Sequence, residues 1–590
     1  MKQLLLFVFV GASVTATAQD KPNPIRINQL GYFPLAPKTA IVIAPVESDS
    51  FYITAINKPD TVFKGLLSKE MQSANSSLKT RVANFTYLLN SGTYQIHVGN
   101  MVSYPFSIGI DVLKPVGIAS IKGYYFQRAS MELQPKYAGQ WARAAGTPDK
   151  AVLVHPSAAA GTRTAGSTIS SPGGWYDAGD YNKYIVNSGI TMGTLLSAYE
   201  DFPAYFKTIA CNIPESNDVV PDILNEVLYN LRWMLTMQDP FDGGVYNKCT
   251  EPSFSEIAMP DKVSSQRWVV QKSTAATLDF AAVMAQASRI LVAYQKQFPG
   301  LSDSCLTAAK NAWEWVQKNP AVEYNQTAMN NMLMKPAITT GGYGDKVFID
   351  EWFWAACELY ISTGNEDYYK FISRSINNKL TLPGWNNVFA LGYYTLLRHS
   401  KKLEATHAAD LANMKRKILE LADAYLQAVQ GNAFKTVMGQ AKTDFIWGSN
   451  AVAANQGVLL LNAYSINSDR KYADAALSNM DYILGKNATG YCFVTGIGSK
   501  PTMHPHHRLS MADDVAEPVP GLLAGGPNPG KQDKCTYEFS EPETCYADVD
   551  CSYASNEIAI NWNAPLVYLS NAFNALQYKL GYATPPQKKK

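Results

Sequence analysis

The stretch Asp222-Ile223-Leu224-Asn225-Glu226-Val227-Leu228-Tyr229-Asn230-Leu231-Arg232-Trp233-Met234-Leu235 decides the fold of most of this chain. Leu224, Val227, Leu228, Leu231 and Leu235 fall at i, i+3, i+4, i+7 and i+11, one face of an α-helix. The same period recurs downstream. Ser273 or Thr274 caps a helix predicted through Ala275–Phe298, which Pro299-Gly300 ends. Further helices are predicted near residues 303–318, 349–362, 386–399, 405–429, 450–466, 470–484 and 557–577. Roughly ten to twelve helices with almost no strand pattern, and no fixed repeat of solenoid type, predict one large all-α domain. A closed double ring of helices is one architecture that uses so many.

Upstream the period is 2. Runs at Thr39–Ala44, Phe51–Ile56, Thr61–Leu67, Arg81–Leu89, Thr93–Val98 and Val102–Ile108 are rich in Val, Ile, Tyr, Phe and Thr. Turn signals such as Asn90-Ser91-Gly92 separate them. About seven short strands at this spacing predict an immunoglobulin-like β-sandwich. It has one histidine and no clustered carboxylates, so its expected role is packing. The fold class is therefore multidomain: an N-terminal β-sandwich followed by an all-α domain.

Of the 590 residues, 47% are apolar and 17% charged, which excludes disorder. The net charge of +2 gives no basic face for nucleic acid. Aromatics reach 12%, with 34 Tyr, 23 Phe and 11 Trp, an excess that suits a cleft for flat, hydroxyl-bearing ligands. Lys2, the apolar run Leu4 to Val10 and Ala16-Thr17-Ala18 read as a cleavable signal peptide, with a mature chain from Gln19. No cysteine lies at that site to carry a lipid, and no spanning segment is read after it. A secreted or periplasmic, soluble protein is expected. The eight cysteines are sparse. Cys535, Cys545 and Cys551 lie close together in a loop-like stretch, Cys357 reads as a small buried hydrophobe, and no pairing is deducible.

Long loops at 155–182, 238–272 and 486–556 carry the candidate chemistry. The first site is Gly173-Gly174-Trp175-Tyr176-Asp177-Ala178-Gly179-Asp180-Tyr181-Asn182-Lys183, where Asp177 and Asp180 can converge on one water. A calcium loop or an Asx turn would use the same residues. The second is His504-Pro505-His506-His507-Arg508, three of seven histidines within four residues. Zinc would suit H-x-H, but Arg508 beside it would repel a cation, whereas His506 and Arg508 together suit hydroxyls or a carboxylate. The third is Asn556-Glu557, where Glu557 is either a helix-capping residue or a protonated acid. Trp175, Trp352, Trp385, Trp447 and Tyr553 are aromatic candidates for stacking on sugar rings.

These motifs in this order resemble glycoside hydrolase family 9, the inverting cellulases that carry an N-terminal immunoglobulin-like domain. The resemblance rests on the 173–184 run, Val220-Pro221-Asp222-Ile223-Leu224-Asn225-Glu226, Gln238-Asp239-Pro240 with Gly243-Gly244-Val245-Tyr246, the 504–508 run, Asn556-Glu557-Ile558-Ala559 and the opening Ile25-Arg26-Ile27-Asn28-Gln29-Leu30-Gly31-Tyr32. It covers nearly the whole mature chain. It implies an (α/α)6 barrel over 113–582, a sandwich over 19–112, a signal peptide over 1–18 and a tail over 583–590. It also implies Asp180 as catalytic base, Asp177 as the second aspartate holding the water, and Glu557 as general acid. His506 and Arg508 match sugar contacts, and Trp447 matches an aromatic platform. Glu557 must then be held protonated, and loop N–H groups must offset the charge of Asp177 beside Asp180.

The implied activity is inverting hydrolysis of β-1,4-glucosidic bonds in cellulose-like, mixed-linkage or branched glucans, endo-acting, by a monomer without a membrane partner. An exo-acting cello-oligosaccharide or glucosaminide hydrolase is the alternative, and a non-catalytic glucan-binding protein the reading from another class. With no linker or binding module read after the catalytic domain, soluble or loosened glucan is expected over crystalline cellulose. The chemistry requires no cofactor. Structural calcium is common in the family, and Asp345, Asp350 and Glu351 offer oxygens for it. The family's zinc site is expected to be absent, because its R-C-G and A-C-H runs read Arg128-Ala129-Ser130 and Ala144-Ala145-Gly146-Thr147 here, and His155 alone cannot rebuild it. Asn247 replaces a frequent His near the cleft.

Overall fold

A computed structural model describes residues 22–56 and 58–585. The signal peptide read over 1–18 and the last five residues of the tail lie outside the described residues.

The N-terminal domain is two packed sheets. One has the order Ile25–Arg26, Thr39–Ile43, Lys79–Asn84, Met71–Gln72; the other Gly31–Tyr32, Phe106–Ile108, Gly92–Val98, Ser50–Ala55, Lys58–Leu66, with Met101–Val102 beside Gly92–Val98. Alternation places Phe51, Ile53, Tyr94, Ile96 and Val98 between the sheets. Tyr32 meets Phe85 and Phe106 edge-on at 5.2 and 5.6 Å. The run read as Val102–Ile108 is two strands, split at Ser103-Tyr104-Pro105.

From Lys114 the chain is helical and forms an (α/α)6 barrel. The inner helices are Ile185–Asp201, Thr274–Leu291, Ile349–Thr363, Phe389–Arg398, Ser449–Asn467 and Ile560–Leu576; each packs on an outer partner, for example Thr274–Leu291 on Leu301–Lys318 and Ser449–Asn467 on Arg470–Ile483. Burial separates the two rings. Every residue from Ile185 to Tyr199 is buried, as is all of Thr274–Leu291 except Arg289. The outer helix Ala408–Gly431 buries only the stripe Leu411, Met414, Ile418 and Ala422. Thr274–Tyr294 is the one described helix long and apolar enough to cross a membrane, and 89% of its apolar window is buried inside the barrel.

Ser273 caps its helix by accepting from the Ala276 N–H at 3.2 Å, but the helix ends at Leu291, short of the predicted Phe298, and passes into a 3-10 turn at Val292–Tyr294. The last helix starts at Ile560, later than predicted, which leaves Glu557 in extended backbone before it. The long loops also contain a small sheet that was not predicted, in the order Thr168–Ile169, Val152–Val154, Trp268–Val269, Lys248–Thr250, Lys183–Tyr184. Of its strand residues, Tyr184 lines the cavity described below. The loop cysteines contribute one disulfide, Cys535–Cys551, while Cys545 and Cys357 are free and buried.

Candidate active site

Three backbone hydrogen bonds join the three sequence-distant motifs. Arg508 N–H donates to Gly179 O at 3.0 Å, His506 N–H to Asn556 O at 3.0 Å, and Ile560 N–H to Asp177 O at 2.8 Å. Gly179 is required by this closeness: a Cβ there would lie 2.3 Å from His506 O. The motifs thereby surround a cavity of about 730 Å³, with Asp177, Asp180, Glu557, His506 and Arg508 in its lining.

Asp177 is buried; its carboxylate accepts from Asn187 Nδ2 at 2.5 Å and from the Tyr343 hydroxyl at 2.7 Å. Burial, and then the neighbouring Asp180 charge, pushes it up to about 8. At neutral pH Asp177 therefore holds its proton. Loop N–H groups were expected to offset the charge of Asp177 beside Asp180. Only the Asn182 N–H, at 3.3 Å, does so from the loop backbone; the Asn182 amide and the Tyr184 hydroxyl supply the rest.

Glu557 is partly exposed to the cavity. Desolvation, then Asp180 and Asp177, raise its pKa well above the usual carboxylate range, with the Gly179 N–H and Arg508 opposing. It does not cap the start of the last helix: it is the extended residue (φ −68°, ψ 158°) that ends the short helix Tyr553–Asn556, and the last helix begins three residues later. A carboxyl whose proton is favoured, sharing one cavity with Asp180, is an arrangement that can serve acid–base chemistry.

His506 Nδ1 lies 2.7 Å from Asp550 O, a carbonyl, so Nδ1 carries the proton and Nε2 is an acceptor. Burial keeps the ring neutral. His507 faces away, with Nε2 donating to Gln127 Oε1 at 2.9 Å and burial pushing it down to about 3. His504 is exposed. The three rings do not converge, so the zinc alternative for this run fails. Arg508 spends its guanidinium on Ser255 O (2.9 and 3.1 Å) and Gly179 O (3.0 Å), which fixes it at the cavity edge beside Phe254.

Trp447 is 40% exposed, its ring 5.5 Å from Tyr553, which is itself 5.5 Å from His506. The Cys535–Cys551 bridge closes the loop that brings Asp550 and Tyr553 to this wall. The opposite wall is Trp385 against Tyr343 (5.3 Å) and Tyr343 against Tyr184 (4.9 Å). Trp175 does not belong to the cleft. It is 0% exposed and packed on Tyr124 at 4.5 Å, because Gly173 and Gly174, both at φ +78°, turn the chain inward before it. Trp352 likewise packs on Trp313 and Phe371.

Several site residues were not read from the sequence: Tyr343, Tyr184, Trp562, Phe254 and Lys248. Lys248 is buried under the wall, donating to Gln326 Oε1, Thr340 Oγ1 and Gly341 O, and burial pushes it down to about 7. The GVYNK run around it was a signal that could have been used. Asn247 does not line the cavity; it accepts from Ser273 Oγ at 2.8 Å and donates to Gly342 O at 3.3 Å, bracing the same wall.

Behind this wall lie Asp279, Asp345, Asp350 and Glu351. Both carboxylate oxygens of Asp279 and Glu351, and one each of Asp345 and Asp350, are buried without a donor. Burial raises the pKa of all four, Asp350 to about 6. Orphaned carboxylate oxygens suit a hard cation, although among the described residues no three His, Cys, Asp or Glu side chains are arranged to hold a metal by themselves. Where the resemblance implies zinc ligands, Ser130 Oγ donates to Thr147 O at 2.7 Å and Arg128 pairs with Glu215 and Glu226.

Residues 116–570 match glycosyl hydrolase family 9, and residues 20–103 match the cellulase N-terminal ig-like domain. The chain is 45% identical to a xyloglucan-specific endo-beta-1,4-glucanase of Bacteroides ovatus, over 98% of both chains. It is 32% identical to Endoglucanase D of Acetivibrio thermocellus, over 93% of this chain and 83% of that one. A solved GH9 structure from Bacteroides ovatus matches with a TM-score of 0.89 at 45% identity, covering 94% of this chain and 99% of the other. With both domains matched, and with three carboxyls and the aromatic walls sharing one cavity, the chain belongs to glycosyl hydrolase family 9 and is a glycoside hydrolase.

Proposed function

We propose that this chain is an endo-acting β-1,4-glucanase that inverts the anomeric carbon and takes a soluble, branched β-1,4-glucan of the xyloglucan type. The observation that carries the reading is the convergence of Asp177, Asp180 and Glu557 on one cavity walled by aromatic rings, with burial favouring the proton on Glu557. In this reaction Asp180 takes a proton from water as it attacks the anomeric carbon, and Glu557 protonates the departing glycosidic oxygen. Asp177 orients the water. His506 Nε2 accepts from a sugar hydroxyl, and Trp447 and Tyr553 stack on ring faces. Inversion needs acid and base ~6.5–9.5 Å apart, so that the water fits between base and substrate. The branched substrate is supported by the 45% identical relative and by a wall of small residues, Gly341 and Gly342, in the cavity lining.

Proton NMR of the purified protein with cellopentaose and with a xyloglucan oligosaccharide, followed from the first minutes, tests this. Early α-anomer and internal cleavage are expected, with the branched substrate faster. Early β-anomer overturns inversion, trimming from one end moves the reading to an exo-hydrolase, and binding without product to a non-catalytic glucan binder.

The chain is further proposed to be exported through its N-terminal leader, to act as a monomer and to hold a structural calcium at Asp279, Asp345, Asp350 and Glu351, the remaining ligands being backbone carbonyls and water. A mature N-terminus at Gln19 and a monomer mass in sedimentation are the expected results for the first two.

A further inference from the structure

Every protein donor to the Asp180 carboxylate converges on one oxygen. Oδ2 accepts from the Asn182 side-chain amide, from the Asn182 N–H at 3.3 Å and from the Tyr184 hydroxyl at 3.3 Å. Among the described residues no donor reaches Oδ1, and that atom is not one of the buried atoms left without a partner, so it opens on the cavity.

Asn182 is wholly buried, and its amide has one orientation. Oδ1 accepts from the Glu251 N–H at 2.8 Å, the Thr250 hydroxyl at 3.0 Å and the Arg267 guanidinium at 3.4 Å. The Glu251 N–H and the guanidinium can only donate, so a flipped amide would set donors against donors. Arg267 is fixed in turn by Asp149 at 3.1 Å, which also pairs with Lys183 at 2.7 Å. A buried ion-pair network thus aims Asn182 Nδ2 at Asp180.

Resting on the hydrolase reading above, we propose that Asn182 is a positioning residue for the catalytic base: it pins Oδ2 of Asp180, favours the charged carboxylate and presents Oδ1 to the attacking water. The groups that act on the same carboxylate are Asp177, Glu251 and Glu557, which oppose its charge when they are ionised, and Tyr184, Lys248 and His506. Closed in among other carboxyls, the Asp180 carboxylate needs a donor that no apolar side chain at position 182 could provide.

The test is Asn182→Ala and Asn182→Asp in the full chain, read two ways: the pH profile of kcat/KM on soluble β-glucan, and 13C-carboxyl NMR titration of Asp180, its signal assigned by its loss in Asp180→Asn. Loss of a hydrogen bond to the charged form raises a carboxylate's pKa by about one unit. The acid limb and the Asp180 titration are expected to move up together by about one pH unit in Asn182→Ala, with kcat down about ten-fold and KM within about two-fold. Asn182→Asp moves them further, because it sets like charges together. Should Asn182→Ala fail to fold, the isosteric Asn182→Asp, which still accepts from Glu251 N–H and Arg267, decides the question. A lower kcat with both titrations unmoved overturns the proposal. If the wild-type protein cleaves no glucan, the hydrolase reading has failed on its own, and the NMR titration alone judges the clamp: an unmoved Asp180 signal overturns it.

Discussion

Tyr343 donates its hydroxyl to Asp177 Oδ2 at 2.7 Å across 166 residues of sequence. With Asn187 on the other oxygen at 2.5 Å, the protein occupies both oxygens of Asp177, whereas Asp180 keeps Oδ1 for the cavity. On the proposed reading this difference separates support from base. Tyr343 adopts φ +46°, a left-handed conformation that costs a non-glycine residue ~1–2 kcal/mol. Edge-on contacts with Tyr184 and Trp385 hold it there. Tyr343→Phe keeps the ring contacts and removes the hydroxyl. Steady-state kinetics on soluble β-glucan should show kcat down roughly ten-fold, the worth of one buried hydrogen bond, with little change in KM.

On the proposed reading Glu557 holds a proton for the leaving group, so its loss should depend on how much the leaving group needs one. Glu557→Gln should lower turnover of unactivated glucan by ~10²–10⁴-fold and that of an activated aryl cello-oligosaccharide far less. Asp180→Asn should damage both substrates alike. Comparable losses on both substrates in Glu557→Gln would show that Glu557 is not the acid.

The residues that were legible in the sequence carry local rules. Asp177 and Asp180 are separated by small residues, Glu557 follows Asn556 at a loop end, and Leu224 to Leu235 repeat at helical spacing. What was missed has no local signature. Ile185–Asp201, an inner barrel helix, is buried from Ile185 to Tyr199, so it lacks the polar face by which a period is recognised, and Gly189 and Gly193 weaken its propensity. Tyr343 and Trp562 reach the cavity only through tertiary folding. Trp175 was misassigned because nearness in sequence to Asp177 does not fix direction, and two left-handed glycines reverse it.

The raised pKa of Asp177 has a cost in stability whose sign is fixed. An unfolded aspartate titrates near ~3.9, while the folded one is pushed up to about 8. Between those values the folded protein binds the extra proton, so the contribution is fully present below ~4 and is lost as pH rises toward 8. Asp177→Asn removes this dependence. Denaturant unfolding should show the variant on the order of 3 kcal/mol more stable than wild type at pH 8.5 and no more stable at pH 4. An equal difference at both pH values would mean that Asp177 is ionised throughout.

Trp175 and Trp447 make opposite predictions from the same residue type. Trp175 is fully buried, and Trp175→Ala should cost ~3–5 kcal/mol of stability, with KM of the folded fraction unchanged. Trp447, 40% exposed over the cavity, should leave the melting temperature in place when changed to Ala and raise KM by ~3–10-fold, the worth of one aromatic contact. Calorimetry and kinetics on the two variants separate the roles.

The acidic cluster behind the cleft wall gives the last prediction. Asp279 on one inner helix and Asp350 and Glu351 in the first turn of the next present oxygens with no donor. Without a partner such groups must stay protonated, as their raised pKa directions indicate. A bound Ca²⁺ would instead let them ionise, and it would stabilise the fold by mass action, about 2.7 kcal/mol at 100 times its Kd. Chelation with excess EDTA at pH 7.5 should therefore lower the melting temperature by several degrees, and added calcium should restore it. The effect should fade toward pH 4, where protons replace the ion. Asp279→Asn should blunt the response to EDTA. A melting temperature indifferent to EDTA across this range would leave protons as the sole occupants of the cluster, and stability should then fall as pH rises through about 6, where Asp350 loses its proton among unpaired neighbours.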